Sequence, residues 1–307
     1  MPNLEDLLEK TSRTFALSIP LLEEPTRREV MIAYLLFRVA DTFEDASHWP
    51  KERRIGALGD FNRLLSAYDR SEAERLAKTW VAEGVAPHAG YRELMAEVPF
   101  VLDAFFALKP EAVEPIRVHV MRSADGMARV VSRTGETGEL VLRDVPDLKE
   151  YCYVVAGIVG EMLTELFILG APALVSIAPY LRERAPLFGE ALQLVNILKD
   201  SAADAMEGRR YLPGDVPSSE IFALARQDLG SATEYILALQ KAGAPRGTVA
   251  FTALPVELAW ATLERVERHG PGSKVSRPEV FLIKQRVKRA VKRNEPAVRA
   301  RTPAVVG

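Results

Sequence analysis

Gln193-Leu-Val-Asn-Ile-Leu-Lys-Asp-Ser-Ala-Ala-Asp-Ala-Met-Glu-Gly-Arg-Arg-Tyr-Leu-Pro213 carries the pattern around which the chain is read. Leu194, Ile197, Leu198 and Ala202 recur at helical spacing, which sets Gln193, Asn196, Asp200 and Asp204 along the other side as one polar line. Two carboxylates therefore point the same way. Like charges at i and i+4 disfavour a helix by a few tenths of a kcal/mol, so the pair calls for free solvent or for a cation between the side chains. A hard cation such as Mg2+ takes oxygen ligands, usually one or two protein carboxylates, with phosphate oxygens and water completing its octahedron. Taken alone, the pair is more simply a solvated helix face.

The pattern has a second copy. In Tyr34-Leu-Leu-Phe-Arg-Val-Ala-Asp-Thr-Phe-Glu-Asp45, Asp41 and Asp45 again stand at i and i+4 after an apolar helical run. Arg38 lies one turn before Asp41, and Glu44 adds a third carboxylate. Two such helices facing one another would form a cage of carboxylate oxygens. Its natural guest is a diphosphate carried by Mg2+, with nearby arginine and lysine neutralising the remaining charge.

The 307 residues show no compositional break, so one large helical domain is expected over 1–294, with 295–307 as a flexible tail. Forty basic and 42 acidic residues give a net charge of -2, and nothing global points to nucleic acid. Cys152 is the only cysteine, which excludes an intrachain disulfide, and the four histidines lack zinc-ligand spacing. The acidic start has no apolar signal core, and a cytoplasmic location is expected. Tyr151–Gly170 comes nearest to a membrane span, but Glu161 and Glu165 interrupt it, so it reads as a buried helix lining a cavity.

Along the chain, Ser12-Arg13-Thr14-Phe15-Ala-Leu-Ser-Ile-Pro20 offers hydroxyls and a guanidinium to a phosphate, or is a capping turn. Thr26-Arg-Arg-Glu29 has capping-box form and predicts the start of the first aspartate helix. Helices are predicted over 51–68, over 71–83 with a Ser-x-x-Glu start, and over 91–108 and 112–133; a loop follows at 134–138. No alternating run long enough for a sheet occurs. Gly157 and Gly160 each cost a helix about 1 kcal/mol against alanine, so they make room for a ligand tail or for a neighbouring helix. Pro255 should kink the helix around it. Lys284, Arg286, Lys288, Arg289, Lys292, Arg293, Arg299 and Arg301 gather on and after a last helix, as a solvated face or as a peripheral contact with a membrane surface.

Ser-Arg-Thr-Phe-Ala at 12–16, the aspartate motif at 41–45, Tyr-Cys-x-x-Val-Ala-Gly-x-Val-Gly at 151–160, Leu-Gln-x-x-Asn-Ile-Leu-Lys-Asp at 192–200 and Gly-Arg-Arg-Tyr-Leu-Pro at 208–213 occur in this order. Together they resemble the trans-isoprenoid synthases of the squalene and phytoene synthase family. Asp-Thr-Phe-Glu-Asp, the run Phe-x-Ala-Leu-Pro at 251–255 and Lys274-Val-Ser-Arg277 are closer to its squalene synthase members.

The resemblance implies an all-α, single-domain isoprenoid synthase bundle with a central cavity. It implies head-to-head condensation of two farnesyl diphosphates through presqualene diphosphate to squalene, with Mg2+ and NADPH. By matching positions, Asp41, Glu44, Asp45, Asp200 and Asp204 would hold metal. Ser12, Arg13, Arg38, Gln193, Asn196, Arg209 and Arg210 would meet the substrate diphosphates, and Phe15, Val155, Gly157 and Gly160 its hydrocarbon. Tyr151 would handle a proton, and Asn196, Lys199, Lys274 and Arg277 would face the nicotinamide nucleotide. The second motif departs from the family in Asp200-Ser-Ala-Ala-Asp204, where glutamate commonly precedes the last aspartate, and in Lys199, where arginine is usual; the metal count stays open. No Gly-x-Gly-x-x-Gly follows a strand, so NADPH enters by resemblance alone. The rivals are a phytoene or dehydrosqualene synthase working without reductant and a non-catalytic relative serving as a binding protein. A nucleic-acid module is disfavoured because the basic tail lacks interleaved aromatics.

Overall fold

The computed structural model of the protein describes residues 3–12, 14–135, 139–299 and 301. Arg13, expected on a diphosphate, residues 136–138 of the expected loop, and Ala300 and 302–307 of the expected tail lie outside the described residues. The chain forms two compact units, one of Met1–Ile19 with Glu24–Gly138 and one of Pro20–Glu23 with Glu139–Gly307. Both are helical, as the periodicity predicts.

The first unit contains α1 (Leu4–Thr11), α2 (Phe15–Ser18), α3 (Thr26–Asp45), α4 (Lys51–Ser66), α5 (Arg70–Ala82), α6 (Ala89–Ala96), α7 (Val98–Phe106) and α8 (Pro110–Ser132). The third of these, α3, is its central element. Ile32, Leu35, Leu36, Val39, Ala40 and Phe43 are fully buried at helical spacing. Beneath its C-terminal end the Phe43 ring meets Trp80 edge-on at 4.8 Å and Phe61 at 6.4 Å. Each such buried ring contributes roughly 1.5–3 kcal/mol.

Three local features depart from the sequence pattern. The α3 helix starts at Thr26 but forms no capping box: its N-cap is Pro25, without a side-chain cap, and Glu29 is buried. Helix α5 is capped by Asp69, which accepts from Glu72 N at 2.9 Å, rather than by Ser71. The helix expected over 91–108 is two, broken at Glu97, because Pro99 brings no N–H to continue the ladder and instead suits the first turn of α7.

The second unit contains α9 (Val145–Cys152), α10 (Ile158–Gly170), α11 (Ala178–Met206), α12 (Ser218–Lys241), α13 (Arg246–His269) and α14 (Arg277–Arg293). A two-residue parallel pair, β1 (Leu140–Val141) with β2 (Arg209–Arg210), ties the start of the unit to the end of α11. The 29-residue α11 buries Leu194, Ile197 and Leu198 as predicted, while Ala202 is exposed beyond the packed part. Its Phe188 stacks on Tyr235 of α12 at 5.4 Å, and Phe167 of α10 meets Phe251 of α13 at 5.9 Å.

Val145–Gly170 is long and apolar enough to cross a membrane, with a mean hydropathy of 1.8, but more than half of that window is buried inside the unit against α11. It is a core helix of this unit. The α13 helix runs through Pro255 without interruption. The segment after α14, expected to trail freely, is docked over its described part: Ala297 and Val298 are buried, and Arg299 N donates to Glu257 at 2.7 Å.

Candidate active site

In the first unit the last two turns of α3 present Asp41 and Asp45. Arg38 Nη1 stands 3.3 Å from Asp41 Oδ2, and both side chains are about a quarter exposed. The guanidinium also donates to the Tyr34 hydroxyl at 3.3 Å and lies over the rings of Tyr34 and Tyr91, at 5.5 and 5.7 Å from their centroids. Tyr34 in turn donates to the Thr11 carbonyl at 2.9 Å, and its ring meets Phe15 at 5.4 Å. Burial works against the Arg38 cation, but Asp41 and the two tyrosines raise its pKa overall.

Burial pushes the Asp41 carboxyl up to about 6, Arg38 opposing the shift and Asp45 adding to it. A carboxyl held that high lacks enough positive charge nearby, which is the electrostatic condition under which an added cation binds favourably.

The residue that fixes this end of α3 escaped the sequence reading. Buried Arg54 of α4 donates from Nε to the Phe43 carbonyl at 3.3 Å and from Nη2 to the Glu44 carbonyl. The Phe43 carbonyl also takes the Ala46 N–H at 3.4 Å, so Arg54 supplements that cap, and a cation there suits the negative end of the helix dipole. Glu44 is itself buried, whereas Asp45 is exposed. It does not gather with the aspartates: among the described residues no cluster of three carboxylate, histidine or cysteine side chains is placed to hold a metal ion. The donor set of Asp41 and Asp45 still fits Mg2+ as a pair of carboxylates whose remaining ligands would be phosphate and water. In the Ser12 turn, the hydroxyl accepts from Phe15 N at 3.0 Å, which is the capping reading.

In the second unit α11 lines up the predicted polar residues. Lys199 Nζ donates to Asn196 Oδ1 at 3.2 Å and pairs with Asp200 at 3.1 Å, and Gln193 is half-buried on the same helix. Asp204 faces Arg209 at 3.9 Å. Gly208, at φ +80°, makes the reversal that brings β2 back beside α11, a conformation open to glycine. Arg209 is thereby returned to Asp204, while Arg210 is exposed.

Gly272 N donates to the Lys199 carbonyl at 2.6 Å, so the loop carrying Lys274 is anchored on α11 beside Lys199. Arg277 opens α14, and neither Lys274 nor Arg277 has an ion pair among the described residues. Cationic side chains of this kind suit the phosphates of a nucleotide.

Tyr151 is buried, donates to the Tyr211 hydroxyl at 3.2 Å and stacks on its ring at 4.7 Å. Tyr211, within the Gly-Arg-Arg-Tyr-Leu-Pro run, was not singled out from sequence. Next to Tyr151 the helix widens into one π-turn, Tyr153–Gly157, which carries Val155.

The glycines answer the question left open between packing and ligand. A Cβ at Gly160 would lie 2.0 Å from the Ala185 carbonyl, and one at Gly189 would lie 1.9 Å from that of Ala156. Gly160 is therefore a helix-packing glycine, not a wall for hydrocarbon. Gly157 faces Glu190, whose Oε1 would be 3.1 Å from its Cβ. Glu190 and Asp228 of α12 form a buried acid pair that the sequence reading missed. Burial first, then repulsion from Asp228, pushes Glu190 up to about 7; burial, opposed by Lys149, takes Asp228 to about 6.

The profile of the family described as "Squalene/phytoene synthase" matches residues 8–284. The squalene synthase of Candida albicans is 29% identical over 85% of this chain and 60% of its own length, and that of Eremothecium gossypii is 32% identical over 68% of this chain and 45% of its own. The chain thus spans about half the length of these relatives. A solved ligand complex of TcSQS is 26% identical with a TM-score of 0.77, covering 98% of this chain and 92% of that one. A dehydrosqualene synthase in complex with ligand shares the fold at 21% identity and TM-score 0.56, over 94% and 95% of the two chains. With its helical units and paired aspartates, the chain belongs to the squalene/phytoene synthase family.

Proposed function

We propose that the chain condenses two farnesyl diphosphates head to head through presqualene diphosphate to squalene, with residues 1–294 as the functional domain. The observation that carries this reading is that each aspartate pair has a guanidinium at its side, Arg38 by Asp41 and Arg209 by Asp204. Carboxylates that accept Mg2+ and arginines that grip phosphate oxygens are the two groups a departing diphosphate needs. Squalene synthase relatives near 30% identity support the same reaction.

Bound Mg2+ would supply Lewis-acid stabilisation of the leaving diphosphate. Asp41 with Asp45 on the first unit, and Asp200 with Asp204 on the second, would each hold such an ion, and Arg38, Arg209 and the exposed Arg210 would take the charge that develops on the diphosphate oxygens. Ionisation leaves an allylic cation, which the double bond of the second substrate attacks; loss of one proton then closes the cyclopropane. Tyr151 is the residue for that proton, held at its hydroxyl oxygen and shared with Tyr211. Val155 and Phe15 would face the hydrocarbon away from water. NADPH, which would deliver the hydride of the second step, is assigned to Asn196, Lys199, Lys274 and Arg277.

Product analysis by gas chromatography and mass spectrometry tests the reading, with purified protein, farnesyl diphosphate and Mg2+, with and without NADPH. Squalene formed only with NADPH is expected. Dehydrosqualene irrespective of NADPH would keep the condensation and remove the reductive half. No product from farnesyl or geranylgeranyl diphosphate would sink the catalytic reading.

A further inference from the structure

The outer face of α14 takes no part in the proposed reaction, and its side chains divide into two blocks. The helix packs on α13 through Val287, Ala290 and Val291. One helical stripe away, Phe281 is 59% and Leu282 64% exposed, an adjacent pair of large apolar side chains in solvent. Two turns further along the same exposed stripe come Lys288, Arg289 and Lys292.

Cations on helices are ordinarily answered by carboxylates, and these are not. No aspartate or glutamate occurs between Glu279 and Glu295. Glu279 is taken up by Arg265 and by the Ser276 cap, and Glu295 lies 3.9 Å from Arg293. Buried Glu257 is committed to Arg286, to Arg301 and to the Arg299 amide. Among the described residues Lys288, Arg289 and Lys292 have no ion pair. Lys284, between the two blocks, has its pKa lowered by burial and by Lys288, the sign of positive charge without a counter-ion.

We propose that this face docks on an anionic lipid surface, with Phe281 and Leu282 entering the boundary between headgroups and acyl chains and Lys288, Arg289 and Lys292 resting on the lipid phosphates. Charge complementarity selects the occupant. A zwitterionic surface would leave three cations unanswered, whereas an anionic leaflet answers all three and the apolar pair together. A nucleic acid would answer the cations but leave Leu282 in water.

The test is flotation of the full chain with vesicles of phosphatidylcholine alone and of phosphatidylcholine mixed with phosphatidylglycerol. The chain should float with the mixed vesicles, much less with phosphatidylcholine, and be released by high salt. Reversing two charges in Lys288→Glu/Arg289→Glu should weaken flotation by roughly tenfold or more. Phe281→Ser/Leu282→Ser should weaken it at unchanged salt dependence. All four positions are exposed, so helicity and turnover of soluble substrate should not change. Failure to float with the mixed vesicles, or flotation insensitive to either double variant, would overturn the assignment. So would an apolar double variant that floats like the parent, since phosphate attraction alone would then suffice, or a lipid-free dimer abolished by the same variant.

Discussion

On α3, Asp41 and Asp45 sit at a helix end locked from below by aromatic packing and by a buried guanidinium, and the Asp41 carboxyl is pushed up to about 6. On α11, Asp200 and Asp204 lie past the packed part of the helix, where Ala202 and Ala203 are exposed, and are answered by Lys199 and by an arginine returned by a two-residue strand pair. The same i, i+4 spacing is thus housed in two ways. Burial of Asp41 stores electrostatic demand for a cation, while the more open α11 pair is satisfied by side chains from its own unit. The first pair depends on the core for its geometry; the second depends on the Gly208 turn.

The strongest way to break this comparison is to neutralise each pair. Asp41→Asn and Asp200→Asn are each expected to lower turnover by about 10²–10³ with helicity intact, because one carboxylate of a charge-stabilising set is lost. Near-normal turnover in either, measured on farnesyl diphosphate, would remove that helix from the site.

Next in size is the contrast between the two supporting arginines. Arg54→Met removes both side-chain donors from the Phe43 and Glu44 carbonyls at the end of α3 and should cost about 2–4 kcal/mol in denaturant unfolding. Arg209→Met, about a fifth exposed and 3.9 Å from its partner, should cost less than about 1 kcal/mol while still reducing turnover. Equal stability losses would mean that the α11 end is locked as firmly as the α3 end.

The smallest effect concerns the acid pair inside the second unit. Glu190 is faced by Asp228 of α12, Glu161 of α10 and Lys149 of α9, and its folded pKa of about 7 lies above the usual carboxylate value. Below about pH 4.5 both folded and unfolded forms are protonated, so no penalty exists. As pH rises from about 4.5 towards 7 the unfolded chain releases a proton that the folded chain keeps, so stability falls over that window and levels off above about pH 7. Glu190→Gln should flatten the stability profile between about pH 4.5 and 7. An unchanged slope in urea unfolding at several pH values would show that Glu190 is not the group responsible.

Much of the site was legible because helical spacing is local. Asp41 with Arg38, and Asp200 with Asn196 and Lys199, lie within one or two turns of one another, and a 3.6-residue period fixes their common face without knowledge of any neighbour. The helix break at Glu97 was misread for the opposite reason: apolar periodicity ran across it, and the missing Pro99 N–H outweighed the pattern. The role of Arg54 was not legible, since nothing in Lys-Glu-Arg-Arg distinguishes an exposed arginine from one that reaches back to Phe43 and Glu44.

By itself, then, the sequence determined the helical class, the two aspartate faces, the family motifs and the single cysteine, since each rests on residue type and short-range periodicity. Tertiary structure alone decided that Gly160 serves helix contact, that Glu190 and Asp228 are both buried inside the second unit, that the Tyr151 hydroxyl donates to Tyr211, and that Ala297 and Val298 are packed instead of loose. Those outcomes depend on which elements come within a few ångströms of one another, and burial and desolvation, which set both packing cost and proton affinity, exist only once they do.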